Sequence, residues 1–354
     1  PVSSRRVAHG IAAVALVIVA AACGREAPVD DTGAPTSASA APSAPAVTET
    51  TVPATSPTTS APPAMSSTAA VPATTEPATT TTASTPPPLA PSAGVAVVYA
   101  SDGGDFPWLP VGWWDGAAWG SVDWPEAVDP SLPSTTPDRV SIASVELPEG
   151  PLRDVEVAPA MYGCIDEPRW PSFALPVDLP EPPLSFGYRA LAVNADWDIQ
   201  PRPVRAVGLD APEYQEAGEA LVPTDQPVDP SGGDVVQVLR ADLDGDGIEE
   251  VLFTFERWTD TTGIGVSGDF SLVAGRYADA AGGVADEVLV ANVIPPAFDF
   301  PQPARSRIVA IADLNGDGRM DVAVASVYWE SADVVVYEFR DGSLQRVMSS
   351  GCGS

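Results

Sequence analysis

The chain has no lysine, and its single histidine is His9. All 17 basic residues are therefore arginine, set against 48 acids for a formal net charge of −31. Residues 1–22 have the form of a leader that is removed. Their loss takes Arg5, Arg6 and no acid, leaving 15 arginines against 48 acids, a charge of −33. The remainder then has neither imidazole nor ammonium side chains. That excludes Ser-His and Cys-His nucleophile pairs, histidine-ligated zinc and lysine Schiff bases, so the expectation is a protein that is not an enzyme. Surplus negative charge repels phosphate backbones and anionic headgroups and favours hard cations, so no nucleic acid partner is expected. Helical periodicity is missing too: no segment of 12 residues or more repeats its apolar positions at helical spacing. Long apolar runs are also absent. Ile11–Ala20 is the main one, shorter than the roughly 20 residues that span a bilayer.

That short run follows Arg5, Arg6 and His9 and ends in Ala20-Ala21-Ala22-Cys23. A cationic start, an apolar stretch and small residues at the cleavage point define a signal peptide. A cysteine directly after them resembles the bacterial lipobox, in which the cysteine is diacylated and becomes the mature N-terminus; Ala20 stands where a large aliphatic is usual. The resemblance implies lipidation at Cys23, export, and anchorage of an extracytoplasmic protein to the cell membrane. From residue 23 to 93 the chain is Ala, Pro, Ser and Thr with six charges. Such a composition cannot bury a core, and it reads as a disordered tether.

Residues 94–354 carry nearly all of the aromatics and charge, enough for one large domain or two small ones. Within them the sequence repeats. Val236-Gln-Val-Leu-Arg-Ala-Asp-Leu-Asp-Gly-Asp-Gly aligns with Val309-Ala-Ile-Ala-Asp-Leu-Asn-Gly-Asp-Gly, which puts Asp242 and Asp313 in register. Each copy predicts four short strands punctuated by Gly and Asp: Val235–Arg240, Glu250–Glu256, Asp269–Tyr277 and Glu287–Val293, then Ile308–Ala312, Asp321–Val327, Asp333–Phe339 and Leu344–Met348. Four antiparallel strands per repeat match one blade of a β-propeller. Upstream, Val95–Tyr99, Trp113–Trp119 turning at Asp115-Gly116, Val140–Leu147, Val155–Tyr162 and Ala190–Val193 are further strand candidates. The expected class is all-β: a propeller-like assembly of four-stranded blades, with degenerate blades over 94–234 and two clear repeats over 235–354.

Chemistry concentrates in the loop of each repeat. Oxygen-bearing side chains stand at positions 1, 3, 5 and 9: Asp242, Asp244, Asp246 and Glu250 in one loop, Asp313, Asn315, Asp317 and Asp321 in the other. Ile248 and Arg319 hold position 7, where a backbone carbonyl serves. Calcium takes six to eight oxygens, and alternate residues of a tight loop turn successive oxygens inward. An EF-hand is excluded, because its position-12 acid is Phe253 or Val324 here. The pattern resembles the calcium loops of FG-GAP/VCBS repeats, the integrin-type propeller blades. The resemblance covers residues 235–348 and implies calcium as cofactor and a role in surface adhesion or recognition, with a protein or glycan ligand. Two positions depart from it. Glu250 is longer than the usual aspartate, and Asn315 removes one charge, which predicts weaker binding in the second loop.

Three other features stand out by residue type alone. Cys164 and Cys352 remain after Cys23, and in an exported protein two such cysteines predict a disulfide, with two buried thiols as the alternative. Trp108, Trp113, Trp114, Trp119 and Trp124 suit a carbohydrate-binding face if exposed; as hairpin residues, Trp113 and Trp119 suit a core. The carboxylate pairs Asp102/Asp105 and Asp196/Asp198 suit a histidine-free glycoside hydrolase, or are solvated loop acids.

Overall fold

The computed structural model describes residues 95–102, 107–122, 136–147, 150–162, 170–175, 177–179, 187–226, 228–259, 265–278, 283–295, 304–328 and 331–353. They form β1 (Ala96–Ser101), β2 (Leu109–Trp114), β3 (Trp119–Ser121), β4 (Arg139–Ala143), β5 (Leu152–Glu156), β6 (Ala158–Tyr162), β7 (Trp170–Ala174), β8 (Ala190–Val193) and β9 (Val204–Ala206). After the helix α1 (Pro212–Leu221) come β10 (Asp234–Ala241), β11 (Glu250–Arg257), β12 (Phe270–Ala278), β13 (Val284–Val293), β14 (Arg305–Ala312), β15 (Asp321–Val327), β16 (Ser331–Arg340) and β17 (Ser343–Gly353). The described residues are thus mostly strand, in four antiparallel sheets. None of their helices is long and apolar enough to cross a membrane.

Each repeat is an up-and-down meander. The second makes a four-stranded sheet, β14-β15-β16-β17; the first makes β13-β12-β11-β10, to which β9, upstream of the repeat and not among the expected strands, adds a fifth at the edge. The upstream region makes six strands in the order β3-β2-β1-β8-β4-β5, and β6-β7 stand apart as a hairpin.

The three large sheets stack with both faces covered, and period-2 alternation shows how. In β15, Val322 and Val324 face the five-stranded sheet, whereas Ala323 and Ala325 face the six-stranded one. In β11, Leu252 points toward the four-stranded sheet, and Val251, Phe253 and Phe255 point the other way. In β1, Val98 and Ala100 face the four-stranded sheet while Val97 and Tyr99 face outward. A strand buried on both sides reads as a continuous apolar run, as Ala96–Ala100 and Val322–Ala325 do.

Both outer faces are capped. On the first repeat, α1 lays Tyr214 and Ala217 against Phe253 and Phe255. Gly218 lets it approach, since a Cβ there would sit 2.5 Å from Phe255 Cγ. On the six-stranded sheet, the hairpin packs Phe173 against Trp108, with rings stacked 5.7 Å apart. The outer sheets are therefore covered by a helix and a hairpin, and the described residues form no closed ring.

Strand bounds in the repeats follow the pattern closely. Upstream the run predicted over Val140–Leu147 ends at Ala143, where the Ser144 hydroxyl donates to the Arg189 carbonyl and accepts the Glu146 N–H, closing a turn. The run predicted over Val155–Tyr162 is split at Val157 between β5 and β6.

Candidate metal centre

The two acidic loops connect equivalent strands, β10 to β11 and β14 to β15, and they share one hydrogen-bond scheme. In the first, Asp242 accepts the N–H of Gly245 (2.7 Å) through Oδ1 and of Gly247 (3.1 Å) through Oδ2. Asp244 Oδ1 accepts Asp246 N–H at 3.1 Å, and Asp246 Oδ1 accepts Ile248 N–H at 2.7 Å. Glu250 Oε2 reaches back to Leu243 N–H at 2.8 Å. In the second loop Asp313 accepts from Gly316 (2.7 Å) and Gly318 (2.9 Å), Asn315 from Asp317 (3.0 Å), Asp317 from Arg319 (2.8 Å), and Asp321 from Leu314 (2.9 Å). Five bonds recur position by position. Asp and Asn accept backbone N–H groups two residues on, which winds a chain into tight turns. Gly245, Gly247, Gly316 and Gly318 have φ of 83°, 89°, 75° and 81°, a region that disfavours a Cβ.

This winding brings acids together. Ligand oxygens from Asp242, Asp244 and Asp246 all lie within 4.8 Å of one another. Oxygens that share a cation at about 2.3–2.6 Å lie no more than about twice that distance apart, so these three hard oxygens fit calcium in hardness and spacing and supply part of its six to eight ligands. Glu250 lies beside them, its carboxyl pushed up to about 7, first by burial and then by repulsion from Asp244 and Asp246. Burial likewise lifts Asp313 to about 6. Asp321 is raised as well, by burial first and by the nearby Glu338 second.

The surroundings of the loops differ. Asp244, Asp246 and Ile248 are exposed in the first, whereas Asp313, Asn315 and Asp321 are 3%, 1% and 1% exposed. A crossover from β8 to β9 touches both loops. Trp197 Nε1 donates to the Asp313 carbonyl at 2.8 Å, and Asp313 N–H donates to the Ile199 carbonyl at 2.7 Å. Arg202 donates Nε to the Asp242 carbonyl (2.5 Å), Nη2 to that of Leu243 (2.8 Å) and Nη1 to that of Gly318 (2.9 Å). Met320 N–H also bonds the Leu243 carbonyl, at 2.8 Å. Behind the second loop, Glu338 Oε1 accepts Asn315 Nδ2 and Trp119 Nε1, both at 2.6 Å.

Sequence reasoning missed Arg202, Trp197 and Glu338. Glu338 had a signal: Val334 and Val336 point toward the six-stranded sheet, and Glu338 continues that face as an acid in an inward register. Arg202 had none.

Trp108, Trp113 and Trp114 are buried, with Trp108 Nε1 bonded to the Leu175 carbonyl, so they present no open ring face; Trp119 is half-buried. Asp198 is ion-paired with Arg153. Cys23, Asp105, Trp124 and Cys164 lie outside the described residues, as does the side chain of Cys352, so the disulfide expectation falls outside them as well.

Fold and site together define an all-β protein with a duplicated acidic loop between paired strands. Comparison of the chain with protein-family models, curated proteins and solved structures gave no match.

Proposed function

We propose that the chain is an exported lipoprotein, anchored through Cys23, that presents a calcium-binding, propeller-like module of the FG-GAP/VCBS kind at the cell envelope. The module works without catalysis, as a binding or scaffold protein for a protein or glycan at the cell surface. Calcium is its structural cofactor. Asp242, Asp244, Asp246 and Glu250, with the Ile248 carbonyl, would hold one ion. Asp313, Asn315, Asp317 and Asp321, with the Arg319 carbonyl, would hold the other.

The observation that carries this reading is the recurrence of the same five backbone bonds in both loops. Two stray Asp-Gly turns have no reason to agree at five positions. Clustered carboxylates repel one another when empty, and a divalent ion turns that repulsion into cohesion.

Thermal unfolding in 2 mM calcium and in excess chelator tests it. Calcium at 100 times its dissociation constant stabilises by about 2.7 kcal/mol per site. A calcium-dependent rise in Tm that disappears in Asp244→Ala/Asp317→Ala supports the reading; the same Tm with and without calcium rejects it. Anchorage is tested separately: Cys23→Ala should release the protein from the membrane fraction.

A further inference from the structure

We infer that Glu338 is a positioning residue for the second loop, turning the Asn315 side chain so that its oxygen, and not its nitrogen, lies on the loop side. The inference rests on the calcium reading above. An asparagine at a ligand position helps only in one of its two amide orientations, because its NH₂ repels a cation. Here both ends of the amide are assigned by their neighbours. Asn315 Oδ1 accepts the Asp317 N–H at 3.0 Å, as Asp244 Oδ1 does for Asp246. Asn315 Nδ2 donates to Glu338 Oε1 at 2.6 Å. A backbone N–H only donates and a carboxylate only accepts, so reversing the amide breaks both bonds.

Glu338 is itself held. It is 2% exposed, takes Trp119 Nε1 on the same oxygen at 2.6 Å, and ion-pairs with Arg340 through the other. One step beyond the pair Val322↔Tyr337, it stands opposite Asp321. In the first repeat, one step beyond Val251↔Arg276, the place opposite Glu250 belongs to Tyr277. The two differences belong together. The place opposite position 9 is a tyrosine in the loop with an aspartate at position 3, and a carboxylate in the loop with an asparagine there. Asn315 is then no mere loss of charge. An aspartate at 315 would bring a second carboxylate to hydrogen-bonding distance of a buried one.

The test is a double-substitution cycle at 315 and 338 in the full chain, with the first loop disabled throughout by Asp244→Ala. Calorimetry reads calcium binding at the second loop. Glu338→Met should weaken binding about tenfold with Asn315 present, the usual scale for losing a group that orients a metal ligand. With Asn315→Asp it should cause no loss, because a carboxylate has no wrong face. Equal losses in both backgrounds, or no loss with Asn315, would overturn the inference. Melting in chelator separates this from the calcium reading. Asn315→Asp alone should lower Tm, and adding Glu338→Met should recover it. That recovery without calcium heat in any variant rejects calcium at this loop while keeping the contact; independent effects on Tm reject the contact itself.

Discussion

The first acidic loop lies open to water and the second is buried between sheets, yet their backbones are wound by the same five bonds. The difference teaches where a loop's conformation comes from. Turn geometry is written locally, in acids that accept N–H groups two to five residues on and in glycines at positive φ. Water can replace the bonds at Asp246, Gly247 and Ile248 N–H in the first loop, though not the buried one from Leu243 to Glu250. In the second loop the bonds of Leu314 and Gly316 N–H are buried, and an unpaired buried donor retains its full desolvation cost; the other three are partly buried.

The largest expected effect sets Asp313→Ala against Asp242→Ala. Each strips acceptors from two glycine N–H groups, but those of the second loop have little water to turn to. Denaturant unfolding in chelator should show a loss of about 3 kcal/mol for Asp313→Ala and about 1 kcal/mol for Asp242→Ala. Equal losses would mean that burial does not distinguish the loops.

Acidity sharpens the comparison next. Glu250 is raised to about 7 and Asp313 to about 6, so the folded apo protein binds their protons more tightly than the unfolded chain. Stability from such groups is complete below the unfolded values and is lost as pH rises through the folded ones. Asp115, Asp198 and Asp229 are lowered and act below that window. In chelator the protein should therefore lose on the order of 2 kcal/mol between pH 5 and pH 8. Saturating calcium should flatten most of the fall, leaving the part due to Asp102 and Asp333, which lie outside the loops and are raised by burial.

Arg202 is the strut that makes the two loops one unit, gripping carbonyls of both. Arg202→Met should cost about 2 kcal/mol, the scale of hydrogen bonds from a charged donor. It should also raise amide exchange at Gly245 and Met320 together. Faster exchange in one loop alone would show that the loops move independently.

The smallest effect concerns glycine alone. A Cβ at Gly247 meets nothing within 4 Å, so Gly247→Ala should cost only the left-handed backbone penalty of about 1 kcal/mol in thermal melts. A much larger loss would mean that something else packs against this turn.

Legibility follows the range of the interactions. Short apolar runs punctuated by Gly and Asp marked β10 to β16 within a few residues, since each strand pairs with a chain neighbour; β17 runs five residues beyond its expected end at Met348. Upstream, β8 inserts between β1 and β4, pairing Val193 with both Val98 and Ser141. Nothing local in Ala190–Val193 names those partners. The helix α1 is only 10 residues long and owes its place to the Phe253 and Phe255 face it covers.

By itself the sequence determined the all-β class, the two meanders and the winding of both loops, because short apolar runs, turn residues and Asp-to-backbone bonds act within a few positions. Only the tertiary structure decided that one loop is buried and the other exposed, that Arg202 ties them, and that Glu338 sits behind Asn315. These depend on stacking sheets whose contacts join residues tens to hundreds of positions apart, such as Trp119 and Glu338, 219 positions apart. No local pattern specifies which surfaces a folded chain will bring together.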